Sequence, residues 1–396
     1  MDFSLAPEHT AIAETVRRFV ERELIPLERD VIRREAERGF TDAPLIAPEA
    51  EARLAAAAKE AGLYGIDVPQ EYGGQDLGLL TKAIVFEEMK RSIVPFVLPP
   101  DSPNLHLLKE TCRGEQIDRY MLPYARGEKK SCIAISEPGA GSDAGAIRTR
   151  AERHNGKWLL NGEKTWISNA RRADFIIVLA VTDSAKGTRG GMTAFLVDRD
   201  TPGLTIPTVF PMIGEYAPYS VHLENVLLGE EHVLGEVGQA FVPISRRLGI
   251  RRMEIAARCL GYARRCIEMM IEQANNRSTF GAKLADRQSV QFAISDSWQE
   301  LEMCRLLVHR LAWRMDQGSA GDSLEIRREG AMAKIQCTEM VTRVIDRAIQ
   351  MHGGMGISKE LPLEYMARAA RVWRIVEGPS EVHRWLVARD LLRHAV

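Results

Sequence analysis

IRTRAERHNGKWLLNGEKTWIS, residues 147–168, decides the architecture. It carries two Asn-Gly pairs, Asn155-Gly156 and Asn161-Gly162. Asn-Gly supplies the positive φ angles that a tight hairpin turn needs. The first pair lies between alternating segments, so a β-hairpin is predicted there. FIIVLAVTD, MTAFLVDRD, GLTIP and YSVHLENVLL follow, each short, rich in β-formers and bounded by turn residues. The pattern reads as a β-domain of about one hundred residues.

Helical periodicity takes over on both sides. Upstream, Ile12, Val16, Phe19 and Val20 share a helix face. EARLAAAAKEA, 51–61, is a strong helix former stopped by Gly62. VPQEYGGQDLG, 68–78, is a Pro/Gly-punctuated loop, and a helix is predicted over about 79–91. Downstream there are three apolar stripes. They are Leu260, Ala263, Ile267, Met270 and Ala274; Ile294, Trp298, Leu301, Val308 and Met315; and Ala333, Cys337, Met340, Val344 and Ala348. With a shorter C-terminal helix these make a four-helix bundle. The expected fold class is α+β: an N-terminal helical domain over 1–129, a central antiparallel β-barrel or sandwich over 130–236, and the C-terminal four-helix bundle over 237–396.

The 396 residues hold 53 basic and 54 acidic side chains, a net charge of −1. No bulk field favours nucleic acid or an anionic membrane, so neither is expected as a partner. The apolar runs are too short to cross a bilayer, which excludes an integral membrane protein. The first twenty residues read as an amphipathic helix and not as a signal peptide. Six cysteines, at 112, 132, 259, 266, 304 and 337, show no CxxC or Cys/His spacing. Reduced thiols, no metal site and a cytoplasmic protein are the expectation.

Five segments could carry chemistry. CIAISEPGAGSD, 132–143, is a strand ending in a Pro/Gly turn closed by Ser142 and Asp143. Such a turn exposes backbone N–H groups and hydroxyls suited to a phosphate or a flavin edge, or it is an ordinary loop. It is neither a Rossmann nor a Walker sequence. Trp166 and Ser168 fall on one side of a strand, where a Trp is most often core. NRSTFGAKLADRQS, 276–289, joins two helices, and its Arg277 and Phe280 could meet a pyrophosphate and an adenine. QMHGGMGISKELPLEYM, 350–366, breaks a helix at Gly353-Gly354, as a cap or as a point of close backbone approach. IVEGPSEVHR, 375–384, sets Glu377 before Gly378-Pro379 with Ile375 and Val376 alongside, a place for a general base or for a surface carboxylate. His383 reads as structural.

In this order, these segments resemble the acyl-CoA dehydrogenase family from end to end. VPQEYGG, ISEPGAGSD, Trp166-Ile167-Ser168, NRSTFG, Gln350-x-x-Gly353-Gly354 and Glu377-Gly378 carry the likeness. The resemblance implies FAD held non-covalently between the β-domain and the bundle, in a homotetramer or homodimer. Ile135, Ser136, Gly141 and Ser142 would line the isoalloxazine and ribityl side, Trp166 would cover the flavin, and Ser168 would bond near N5. Arg277, Phe280 and Gln288 would reach FAD. Gln350, Gly353 and Gly354 would contact its adenine end from a neighbouring subunit. Ser142 and Arg252 would meet the CoA moiety, with Val376 and Gly378 beside the acyl group. Val376, where some members carry an aromatic, leaves room for a bulkier acyl group.

Glu377 matches the family's base. It would take the α-proton of an acyl-CoA while the β-hydrogen leaves as hydride to flavin N5, giving the trans-2-enoyl-CoA. Electrons would pass to an electron-transfer flavoprotein. The Glu377 N–H and a ribityl hydroxyl would form the oxyanion hole. Two departures stand out. Where the family often reads Glu-Gly-Thr-x-Gln, this chain has Glu377-Gly378-Pro379-Ser380-Glu381, and Pro379 offers neither N–H nor hydroxyl. Gly249 replaces a common Asp, and Arg251 stands where some members carry their base, which favours Glu377. Rival readings are an O₂-using oxidase or flavin monooxygenase, and a non-catalytic acyl-CoA- or flavin-binding protein.

Overall fold

In the computed structural model, which describes residues 4–317 and 324–393, the first third is helical. It comprises α1 (Pro7–Phe19), α2 (Glu28–Arg38), α3 (Pro48–Glu60), α4 (Gly78–Met89), α5 (Asn104–Thr111) and α6 (Leu122–Ala125). Val16, Phe19 and Val20 are buried, as their spacing requires. α3 stops at a left-handed Gly62 (φ 68°), and the Leu63 N–H donates back to the Ala58 carbonyl at 2.9 Å. That geometry suits a residue without a Cβ.

Eight strands follow: β1 (Ser131–Ala134), β2 (Arg150–His154), β3 (Lys157–Ile167), β4 (Phe175–Val181), β5 (Met192–Asp198), β6 (Leu204–Thr205), β7 (Tyr219–Leu228) and β8 (Val233–Leu234). Their order is β6-β7-β3-β2-β4-β5-β8, with β1 pairing β4. Asn155 (φ 49°) and Gly156 (φ 76°) turn β2 into β3, as predicted. The second Asn-Gly pair makes no turn. It lies inside β3, where a Cβ on Gly162 would come within 2.4 Å of Thr149 Oγ1. Here glycine serves close packing and an irregular register.

The sheet is not wholly antiparallel as expected. β1 runs parallel to β4, Ser131↔Phe175 through Ala134↔Val178, and β2 meets β4 in parallel at Arg150↔Val181. The cause is visible in β4, FIIVLAV, which is buried on both faces apart from its last residue. A central strand covered on both sides accepts parallel neighbours.

The C-terminal part holds α7 (Phe241–Asn276), α8 (Gln288–Asp316), α9 (Leu324–His352), α10 (Leu363–Trp373) and α11 (Ser380–Arg393). A small hairpin, β9 (Ser278–Thr279) with β10 (Ala282–Lys283), joins α7 to α8. The stripes predicted on α7 and α9 are buried. On α8, Leu301 and Val308 are buried but Trp298 is half exposed, because the inward face runs through Leu301, Cys304, Val308, Leu311 and Ala312. Residues of α1–α4 share one apolar core with α7–α10, so the N-terminal helices are built onto the bundle. Two further clusters cover the two faces of the sheet. Among the described residues, no helix is long and apolar enough to cross a membrane, and no group of three His, Cys, Asp or Glu could hold a metal. All six cysteines are free and buried.

Candidate functional site

Glu377 lies in the turn between α10 and α11. The end of α10 is fixed by Trp373, whose Nε1–H donates to Tyr216 Oη at 2.8 Å and whose ring lies 5.0 Å from that of Tyr262. The chain then bends through two left-handed residues, Glu377 (φ 56°) and Gly378 (φ 95°). A left-handed conformation costs a non-glycine residue energy and persists only where its surroundings impose it.

Here the surroundings are three nitrogen donors. Arg252 Nε (3.1 Å) and His383 Nε2 (3.2 Å) both donate to the Glu377 carbonyl, and Lys334 Nζ donates to the Gly378 carbonyl at 2.7 Å. Burial pulls the Lys334 amine down to about 8. Burial, with Arg252 and Lys334 nearby, pulls the His383 imidazole down to about 3, so it is neutral. Because a carbonyl only accepts, the proton of His383 sits on Nε2. Its Nδ1 has no partner among the described residues.

Both carbonyls of the turn are thus tied, while the Glu377 N–H meets no acceptor among the described residues. The carboxylate, 21% exposed, reaches Arg247 Nη1 at 3.5 Å. The apolar setting expected from Ile375 and Val376 is only half present. Val376 packs on the core, but Ile375 faces outward, and the cations acting on the carboxylate include Arg247, Arg251 and Arg252.

α7 supplies those arginines. Arg247 is 5% exposed and is aimed by Asn104 Oδ1 (2.8 Å from Nε) and Ser102 Oγ (3.1 Å from Nη2). Arg251 donates to Glu254 at 2.8 Å, and Glu254 also pairs with Lys82 at 3.0 Å. Lys82 and Arg251 hold the buried Glu254 carboxyl down to about 2. Two turns further along α7, Arg258 is buried without a hydrogen bond or ion pair among the described residues. Its guanidinium lies 4.9 Å from the Phe86 ring. It lines a pocket with Val85, Phe86, Met89, Phe96 and Leu98.

The turn after β1 forms a second feature. Glu137 and Ala140 exchange two backbone hydrogen bonds of 3.0 Å. Lys164, wholly buried, donates to the Ile135 carbonyl (3.0 Å) and to Glu137 Oε1 (2.8 Å). The Arg148 and Thr149 N–H groups also donate to that carboxylate. Lys164 holds the Glu137 carboxyl below its ordinary range, while burial brings Lys164 down to about 8. The Thr165 N–H donates to the Ser136 carbonyl at 2.9 Å, bringing Ile135 and Ser136 beside the end of β3.

Trp166 there is 52% exposed, left-handed (φ 62°) and 4.7 Å from the Phe210 ring. It is therefore no core residue. Ser168 is exposed just past the strand. A Cβ on Gly139 or Gly141 would meet no protein atom, and the hydroxyls of Ser136, Ser142 and Ser168 have no partner among the described residues. An exposed ring face, unsatisfied hydroxyls and free N–H groups beside open space fit a flat, polar-edged group such as a flavin.

The other predicted cofactor residues are exposed in two places. Arg277, Phe280 and Gln288 lie at the α7–α8 joint, where Phe280 (φ 49°) and Gly281 (φ 76°) form the turn of the β9–β10 hairpin and Phe280 is fully exposed. Gln350, Gly353 and Gly354 lie at the end of α9. Among the described residues no hydrogen bond or ion pair joins these two groups or links them to the β1 turn.

Sequence reading missed Arg247, Asn104, Lys334 and Lys164. A signal existed for two of them. Lys334 sits on the apolar stripe of α9 next to Ala333 and Cys337, and Arg247 belongs to one of three Arg-Arg pairs in a largely buried helix. Nothing local marks Asn104 or Lys164.

The chain matches the acyl-CoA dehydrogenase N-terminal domain over residues 6–128, the middle domain over 132–226 and the C-terminal domain over 241–392. It is 49% identical to (R)-benzylsuccinyl-CoA dehydrogenase of Thauera aromatica, over 99% of this chain and 97% of that one. It is 34% identical to the mitochondrial short-chain specific acyl-CoA dehydrogenase of Mus musculus, over 98% of this chain and 91% of that one. Butyryl-CoA dehydrogenase from Megasphaera elsdenii superposes with a TM-score of 0.87 at 27% identity, over 99% of this chain and all of that one.

Proposed function

The chain belongs to the acyl-CoA dehydrogenase family, FAD-dependent oxidoreductases, and from that premise we propose that Glu377 is its catalytic base. In this reading it takes the α-proton of an acyl-CoA thioester, and the product is the trans-2-enoyl-CoA. The observation that carries the reading is the turn at 377. Its carbonyls are tied by Arg252, His383 and Lys334, its N–H meets no acceptor among the described residues, and its carboxylate is partly exposed.

FAD, when bound, supplies the two-electron acceptor. The protein's own contribution is placement and electrostatics. Ile135, Ser136, Gly141, Ser142, Trp166 and Ser168 would hold the ring and ribityl portion. Arg277, Phe280, Gln288, Gln350, Gly353 and Gly354 would hold the rest, the last three from a neighbouring copy. The α-proton becomes acidic only when the thioester carbonyl is polarised, and the unpartnered Glu377 N–H is a donor for the developing enolate oxygen. Ser142, Arg252, Val376 and Gly378 would flank the thioester.

An aryl-bearing acyl group is supported by the name of the Thauera relative and by the Phe86 and Phe96 pocket along α7. We further read a division into units near residues 130 and 237, electron transfer to an electron-transfer flavoprotein, a homotetramer or homodimer, and a cytoplasmic location. The six free thiols fit that location.

Glu377→Gln tests the base. The variant is expected to keep FAD, seen in its absorption spectrum, and to lose acyl-CoA-dependent bleaching by on the order of 10³-fold. Bleaching at the wild-type rate would refute the assignment. Wild-type enzyme reduced without air, then offered air or an electron-transfer flavoprotein, reports the acceptor.

A further inference from the structure

We propose that the acyl group of the substrate carries a second, free carboxylate close to its α-carbon, and that Arg247 is the anchor for it. The proposal rests on Glu377 being the base.

The starting point is a conflict. A cation beside a proton acceptor works against proton uptake, yet the Arg247 guanidinium lies 3.5 Å from the Glu377 carboxylate. The arrangement is built and not incidental. Asn104 and Ser102 hold Nε and Nη2 and leave Nη1 facing Glu377. Asn104 is itself fully buried and donates to Ser131 Oγ at 2.9 Å. Nor is Arg247 needed to shape the turn, since Arg252, His383 and Lys334 hold its carbonyls.

Both fixed partners of Arg247 are neutral, so among the described residues its charge is offset at contact distance by Glu377 alone. The imbalance extends along the helix. Between residues 247 and 258, α7 carries four arginines against one carboxylate, Glu254. Glu254 is already shared by Arg251 and Lys82. Asp101, buried near Arg247, accepts from the Tyr124 hydroxyl at 2.9 Å and makes no hydrogen bond or ion pair with Arg247 among the described residues. Glu215, buried near Arg258, is paired with Lys90 at 3.0 Å, so the Arg247 guanidinium beside Glu377 is the one placed to take an anion from outside.

A substrate carboxylate resolves the conflict. It would draw Nη1 into a charge-assisted hydrogen bond and release Glu377 to act as a base. Distance limits where that carboxylate sits. With the base about 3–3.5 Å from the reacting carbon and Nη1 3.5 Å from the base, Nη1 and the α-carbon are at most about 7 Å apart, and a free acid set between them at about 2.8 Å from Nη1 lies about 4 Å from the α-carbon. An arm of one or two carbons spans that gap. The substrate class is therefore the mono-CoA thioester of a succinate-type dicarboxylic acid.

The test uses the full-length FAD enzyme as wild type, Arg247→Met and Arg247→Lys. The probes are 2-benzylsuccinyl-CoA and 2-benzylbutyryl-CoA, in which a methyl group replaces the carboxylate. Kd is read by calorimetric titration, and kcat/KM by flavin bleaching. Wild type is expected to favour the acid by on the order of 100-fold in both. Arg247→Met should abolish that preference and Arg247→Lys should restore part of it. Equal use of the two thioesters by wild type would overturn the proposal. So would an Arg247→Met that slows both by one factor, since a residue that only positions Glu377 would act in that way. If neither thioester bleaches the wild type, the base assignment fails, and the Kd comparison still decides the anchor.

Discussion

His383 shows how a single side chain can hold a reactive neighbour in place and leave a measurable trace. It is 1% exposed, neutral, and donates to the carbonyl of Glu377. Its imidazole protonates near 3 in the folded protein, against about 6.5 in an unfolded chain. Between those values the unfolded chain binds more protons, so stability falls as pH drops below about 6.5 and goes on falling to about pH 3. From pH 7 to pH 5.5 this group alone removes about 1.3 kcal/mol. His383→Gln keeps a donor and cannot protonate. Urea unfolding at both pH values should show the variant losing less stability over that interval by about that amount. Identical pH dependence in the two proteins would exclude this role. The sequence marks Glu377 through the Glu-Gly pair and singles out Arg252 and His383, but it is silent about Lys334 and about the three groups meeting on the carbonyls of this turn. They come from α7, α9 and α11, and no local pattern links them.

The β1 turn and the end of β3 act as one element. ISEPGAGSD announces a turn with exposed N–H groups, and the Asn155-Gly156 hairpin announces β3. What joins them is Lys164, which strict alternation would not bury together with its neighbour Thr165. The register shift between Lys164 and Ile167 permits it and also turns Trp166 outward. The bulge is a tertiary feature, so the sequence shows both parts and hides their coupling. Lys164→Met would leave the Glu137 carboxylate buried without its cation, at a cost of about 3–5 kcal/mol. It would also free the Ile135 carbonyl. The expected result is a lower thermal midpoint together with faster loss of FAD on gel filtration. A variant that melts early but keeps FAD as firmly as wild type would separate the pair from the cofactor site.

At the scale of the whole molecule, α8 is unfinished in a single chain. Its inner stripe was legible from helical spacing, apart from Trp298. Its outer side carries Phe292, Met303, Leu306 and Trp313, all more than half exposed and within one arc of the helix. Apolar side chains gathered in this way mark a surface that another protein covers. The proposed homo-oligomer supplies that cover. It also accounts for Phe280, fully exposed, and for Gln350, Gly353 and Gly354, which no hydrogen bond or ion pair among the described residues links to the β1 turn. If a second copy packs on α8, then Met303→Glu with Leu306→Glu buries charge at the contact, which costs several kcal/mol. Light scattering should then show a smaller species than wild type. FAD should be lost in parallel, because residues from two copies would complete its site. Circular dichroism separates this from misfolding, since both side chains face away from the chain's own core. A double variant of wild-type mass and FAD content would place the contact elsewhere.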